Sequence, residues 1–129
     1  MVLLDTNICI AFLKGVEAVQ ERILTASVSE VVLCSIVKAE LIYGARRSSR
    51  VEQNLQRLGE FFELFASVPF DDVAAEHYGL LRAQLEASGQ PIGPNDMLIA
   101  AIALSVDATL ATRNESEFRR VPGLRVERW

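Results

Sequence analysis

The sequence predicts a three-layer α/β/α domain with a central, mainly parallel sheet. Three observations lead there. Short apolar, β-branched runs at residues 2–4, 31–34 and 108–112 alternate with stretches of helical periodicity. The stretches between successive strands are long enough for helical crossovers, which parallel strands require and hairpins do not. The helix expected at residues 97–105 is apolar almost all round, as in a helix buried between layers. With 129 residues the chain fits one domain, 1–129, that buries a sizeable core without disulfides.

The elements follow in order. Residues 2–4 form the first strand, and Thr6 or Asn7 can cap a helix running to about Leu13, where Lys14-Gly15 stops it. A second helix spans residues 16–24. Residues 31–34 read as a strand, and Ser35 is an N-cap candidate for a helix over residues 36–46. Val51, Leu55, Leu58, Phe62 and Phe65 then mark an amphipathic helix, with Phe61 and Leu64 off its stripe. Residues 68–70 are extended. Asp71 or Asp72 can cap a long helix carrying Ala74, Tyr78, Leu81 and Leu85 and ending at Gly89. Pro91, Gly93 and Pro94 stiffen the loop before the apolar helix. A strand at 108–112, one helical turn at 115–119 and a strand at 124–128 complete the chain.

Composition removes several function classes. No apolar stretch approaches the roughly 18 residues of a membrane span. No basic leader precedes residues 2–4, so a cytoplasmic protein is expected. Cys9 and Cys34 sit apart in apolar runs, which reads as buried, reduced thiols. His77 is the one histidine and lies beside its helix's apolar stripe, leaving no histidine-centred metal site or triad to build. The seven glycines form no phosphate-binding loop. A net charge of −4 argues against nucleic acid only globally. Five of the eleven arginines fall in residues 113–128, and Arg46, Arg47 and Arg50 form a second group, so local fields can differ from the average.

The residues that suggest chemistry are four acids, Asp5, Glu40, Asp96 and Glu117. Asp5 ends the first strand, Asp96 opens the apolar helix, and Glu117 follows the strand at 108–112 together with Asn114. Ligands of parallel sheets gather at the carboxyl ends of the strands, where these segments can meet. Each acid also has a structural reading: Asp5 as a helix cap, Asp96 as a carboxylate facing a helix dipole, Glu117 as an ordinary acid in a turn. Glu40 is more telling, because it shares a helical face with Ile36, Val37 and Gly44. A carboxylate intruding on a packing stripe is usually paired or metal-bound. Oxygen-only acidic clusters suit Mg²⁺ or Mn²⁺ rather than zinc.

Taken jointly, LLDTNICI, SIVKAELIYGA, GQPIGPNDMLIAAIAL, LATRNESEF and VPGLRVERW resemble the PIN-domain nucleases, and among them the VapC-type toxins, over nearly the whole chain. The resemblance implies a homodimeric, Mg²⁺-dependent endoribonuclease, with Mn²⁺ as a substitute. It also implies a VapB-like antitoxin whose C-terminal segment enters the groove over the acids, hetero-oligomers of toxin and antitoxin, and DNA contact only through the antitoxin. Asp5, Glu40 and Asp96 match the family's acidic metal residues. Asn114 stands where many members carry a further acid, so Glu117 is the expected fourth acid. Thr6, Asn7, Thr112 and Asn114 are expected around the site or on the substrate.

The chemistry is also readable from the residues. Clustered carboxylates repel, and a hydrated divalent cation relieves that cost while acidifying a bound water for attack on a phosphodiester. Glu117 or Glu40 is expected to position or deprotonate that water, and Arg46, Arg47, Arg50 and Arg113 to hold flanking phosphates. Two other classes stay open. A haloacid-dehalogenase-type phosphatase would also use an aspartate after strand one, although its second acid would fall at Asn7. A non-catalytic binding module would use Phe61 and Leu64 as exposed contacts. Apolar residues of the helices at 8–13 and 51–65 that lack cover are expected to seat an antitoxin helix or a second subunit.

Overall fold

The computed structural model describes residues 1–129, apart from the side chain of residue 28. Its elements are β1 (Val2–Leu4), α1 (Thr6–Leu13), α2 (Glu17–Thr25), β2 (Val31–Cys34), α3 (Ser35–Arg46), α4 (Val51–Glu63), β3 (Ala66–Val68), α5 (Asp72–Ala87), α6 (Pro94–Ser105), β4 (Thr109–Thr112), α7 (Glu115–Phe118) and β5 (Val126–Arg128). The strands pair in the order β3-β2-β1-β4-β5, and every pairing is parallel. From β1 the chain steps to β2 and then β3, and afterwards returns past β2 and β1 to β4. Right-handed crossovers with this reversal put helices on both faces of the sheet, giving the three-layer arrangement read from the sequence.

The core explains the apolar runs. Leu3, Leu4, Leu33 and Leu110 are fully buried in the three central strands, and Ile99 to Ala103 of α6 are buried without exception. Five small or branched residues in succession let α6 pack closely on α5 and the sheet, so no polar face is left for water along this stretch. Cys9 and Cys34 are free and buried, as expected. At the turn into β4, Asp107 adopts a left-handed backbone (φ 53). Arg125 clamps it, donating to Asp107 Oδ1 at 2.9 Å and to its carbonyl at 2.7 Å.

Several boundaries differ from the expected ones for physical reasons. Asp5, not Thr6 or Asn7, caps α1, because Asp5 N–H is still bonded to the Ala111 carbonyl and the strand passes into the helix without a loop. Cys34 holds the cap position of α3, and Ser35 is already helical. The third strand is Ala66–Val68 rather than residues 68–70: Pro69 has no N–H to extend the ladder. Helix α6 begins at Pro94, three residues before the expected start, since proline suits the first helical position.

Phe61 needs a larger correction. It is only 3% exposed and packs against Phe12 and Phe65, each with ring centroids 5.2 Å away, so it is core and not a partner contact. Leu64 is 51% exposed, as expected. Helix α4 is packed over an arc wider than the five-residue stripe.

Candidate active site

The chain leaves β1 for β2 on one side, while β4 lies on the other. The crevice beyond the carboxyl ends of β1 and β4 is therefore the switch point where parallel sheets bind ligands. Leu4 pairs with Ala111, and one further step of the register sets Asp5 beside Thr112. On the other side, β2 ends at Cys34 and feeds α3, which carries Glu40. Helix α6 brings Asp96 in its first turn. Asp5, Thr6, Asn7, Ile10, Glu40, Asp96 and Asn114 line one open cleft of about 250 Å³. Residues from four segments of the sequence thus converge.

Hydrogen bonds hold the floor of the cleft. Asp5 is 4% exposed, and its Oδ1 accepts from the Thr6 N–H at 2.8 Å. Its Oδ2 accepts from the Thr112 hydroxyl at 2.6 Å. Thr112 Oγ1 in turn accepts from the Asn114 N–H at 2.9 Å and from Asn7 Nδ2 at 3.4 Å. Thr112 is fully buried, so its hydroxyl serves Asp5 and is not open to a substrate. The Asn114 side-chain amide donates to Glu117 Oε2 at 2.8 Å, which fixes the acid expected in this turn.

The electrostatics are those of carboxylates crowded without counter-charge. Burial raises the pKa of Asp5, and the bonds from Thr112 and Thr6 offset part of the rise. Glu40 is raised by burial and then by the charge of Asp5. Asp96 is pushed up to about 7 by burial, by Asp5, by a hydrogen bond to and the charge of Glu117, and by Glu40. The Thr6 hydroxyl favours the charged form of Glu40, yet their geometry leaves both Thr6 Oγ1 and Glu40 Oε1 buried without a hydrogen-bond partner. An orphaned carboxylate oxygen facing other carboxylates is costly unless a cation completes it.

The donor set is all oxygen, which fits Mg²⁺ or Mn²⁺. Among the described residues no three acidic, histidine or cysteine side chains are drawn together tightly enough to cage a bare ion. The open space of the cleft instead suits a cation that keeps several of its waters, as Mg²⁺ does. Asp5, Glu40 and Asp96 are the residues that would hold it, with Glu117 beside Asp96.

Residues 2–124 match the PIN domain family. The chain belongs to that family. Ribonuclease VapC2 of Rickettsia felis is 40% identical to it over 129 residues, covering 98% of this chain and 96% of the relative. The tRNA(fMet)-specific endonuclease VapC of Shigella flexneri is 39% identical over 127 residues, with the same coverage. The crystal structure of DNA-bound VapBC from Salmonella typhimurium superposes with a TM-score of 0.94 at 40% identity, covering 99% of this chain and 97% of that one.

Within this PIN domain the arginines expected on phosphates stand apart from the cleft. Arg46, Arg47 and Arg50 are exposed at and beyond the C-terminal end of α3, and none of them lines it. The Arg47 guanidinium stacks over Tyr43. Arg113 turns toward the C-terminus, donating to the Trp129 carbonyl at 3.5 Å, while its backbone N–H donates to Asn7 Oδ1 at 3.2 Å.

A second concavity adjoins the acids. Ile10, Leu13, Leu41, Ala45 and Leu58 of α1, α3 and α4 line a groove of about 310 Å³, with Lys14, Asn54 and Arg57 among its polar lining residues. Glu40 and Ile10 belong to both concavities. Two of its helices, α1 and α4, are those whose apolar residues were expected to lack cover. Arg57 was not singled out by sequence; its bond to the Leu13 carbonyl at 2.7 Å ties α4 to the end of α1 and has no sequence signal.

Proposed function

We propose that this PIN domain, taking residues 1–129 as one unit, is a divalent-cation-dependent endoribonuclease and the toxin of a VapBC-type toxin–antitoxin pair. The observation that carries the reading is the convergence of Asp5, Glu40 and Asp96 on one cleft, with Glu40 Oε1 buried and unpartnered. Mg²⁺, or Mn²⁺ in its place, is the cation that oxygen donors and open coordination space favour. When bound, the ion would acidify a coordinated water and counter charge on the scissile phosphate.

The protein's own part is positioning and proton transfer. Asp5 is locked by two hydrogen bonds and acts as the fixed ligand. Asp96, at about 7, gives up its proton readily once positive charge arrives. Glu117, steadied by Asn114, and Glu40 are the carboxylates available to orient an attacking water or accept its proton.

The apolar groove fits an amphipathic segment of a VapB-like antitoxin, laid against Ile10, Leu41 and Leu58 with its end over the acids. VapBC complexes among the similar solved structures support that partner, and two of them contain DNA. A homodimer, and hetero-oligomers that reach DNA through the antitoxin, complete the proposal for a protein acting on RNA in the cytoplasm. The experiment is cleavage of purified RNA in Mg²⁺ or Mn²⁺, starting with tRNA(fMet) because the Shigella relative is named for it. Cleavage should stop in EDTA and in Asp5→Asn and Asp96→Asn, with circular dichroism unchanged. Full activity in EDTA would overturn the reading.

A further inference from the structure

We propose that Asn7 is a positioning residue that sets the Asp5 carboxylate through the Thr112 hydroxyl. The inference rests on the metal-dependent reading of the cleft, and its geometry is independent of it. Asn7 Oδ1 accepts from the backbone N–H of Arg113 at 3.2 Å. A backbone N–H can only donate, so the amide oxygen must face that turn and the amide nitrogen must face Thr112 Oγ1, 3.4 Å away. Thr112 Oγ1 also receives the Asn114 N–H at 2.9 Å. A hydroxyl carries one proton and two acceptor sites. With both sites taken by N–H donors, the single proton points at Asp5 Oδ2, 2.6 Å away.

The relay therefore runs one way, from the Arg113 N–H through the Asn7 amide and the Thr112 hydroxyl to Asp5. Its direction is imposed by backbone groups that cannot reverse. Asp5 Oδ1 is held separately by the Thr6 N–H, so the carboxylate cannot rotate, and its remaining lone pairs stay available to the cleft that it lines. Asn7 also ties the first turn of α1 to the turn after β4 across 106 residues of sequence. One acceptor site of its oxygen and one N–H of its nitrogen are committed to these two bonds. The Asn7–Thr112 contact is long, so its contribution is to choose the hydroxyl's orientation more than to add binding strength.

Two measurements test this. In proton NMR of the metal-free protein, the buried Thr112 hydroxyl should give a slowly exchanging resonance that is lost in Asn7→Ala. Asn7→Asp keeps the Arg113 bond, and with it the turn, but offers the hydroxyl a competing acceptor; it should displace the same resonance in a folded protein. In calorimetric Mn²⁺ titrations, Asn7→Ala and Thr112→Val should each weaken binding about tenfold, the scale of lost ligand-orienting partners. The double variant should be no worse than Thr112→Val alone, and KM for RNA at saturating Mn²⁺ should stay unchanged. Additive losses, an unmoved hydroxyl resonance, or a raised KM with unchanged Mn²⁺ affinity would each overturn the proposal. Absence of Mn²⁺ binding by the wild-type protein would overturn the nuclease reading itself, and the hydroxyl resonance would still decide the relay.

Discussion

The acid cleft and the apolar groove share Glu40 and Ile10 but face opposite physical problems. In the cleft, folding gathers like charges and leaves Glu40 Oε1 without a partner, an arrangement that works against the fold and that a cation would relieve. In the groove, the residues that face α1, α3 and α4 are well packed, and what lacks cover is a strip of side chains at its surface. Leu41 and Leu58 are each only 6% exposed, whereas Ile10 is 40% exposed. One region concentrates like charge; the other leaves part of an apolar strip open. The two kinds of site respond differently to substitution.

The largest expected effect tests the cleft. Asp5→Asn or Asp96→Asn should lower RNA cleavage by at least about a hundredfold, the effect of removing a ligand of the proposed cation. Asp96→Asn should not lower the melting temperature in EDTA, since it removes repulsion, whereas Asp5→Asn also gives up an acceptor for Thr6 or Thr112 and should melt lower while staying folded. A variant that loses activity by unfolding would show instead that these acids are structural.

Leu41→Ala should break the groove from within, costing about 2–4 kcal/mol of stability in denaturant titration, as for other buried leucines. Ile10→Ser, which adds no charge to the cleft, should cost less stability than Leu41→Ala because Ile10 is 40% exposed, and should weaken antitoxin binding at least tenfold by calorimetry. If the two variants behaved alike, the groove would be ordinary core.

A pH series sharpens the contrast further. Asp96 rises from its ordinary 3.8 to about 7 in the folded protein. A carboxyl whose pKa is raised on folding stabilises the protein fully below the unfolded value, and that contribution is lost as pH climbs through the folded one. The metal-free protein should therefore melt at falling temperatures from pH 5 to pH 8. Mg²⁺ should restore the loss at the upper end, and Asp96→Asn should flatten the curve.

The smallest effect concerns the outlying arginines. Arg46→Ala and Arg50→Ala should leave stability and kcat unchanged. If RNA runs along α3, each should reduce the salt dependence of KM by about one phosphate contact. An unaltered salt slope would remove them from the substrate path.

The acids were legible because each interrupts a local rule. Glu40 breaks an apolar helix face, Asp5 ends an apolar strand, and Asp96 follows a proline-stiffened loop. Phe61 was misread because five residues of a stripe fit one helical face, while the neighbouring ring of Phe12, which completes the packing, comes from another helix. Arg46, Arg47 and Arg50 followed Glu40 in sequence, but Arg46 lies about one and two-thirds turns further along α3 and Arg47 and Arg50 lie past its end, which carries them off the site. Asn114 stood where an acid was expected, and only its 2.8 Å bond to Glu117 shows how an amide serves there.

Periodicity, strand-to-helix alternation and the misplaced acids determined the layer architecture and the cleft's chemical character from sequence alone, because each is a relation among near neighbours on one element. The direction of the relay through Asn7, Thr112 and Asp5 and the shared edge of cleft and groove were decided only in the tertiary structure. They depend on the register of β1 against β4 and on the meeting of α1, α3 and α4, where residues more than a hundred positions apart come within hydrogen-bonding distance.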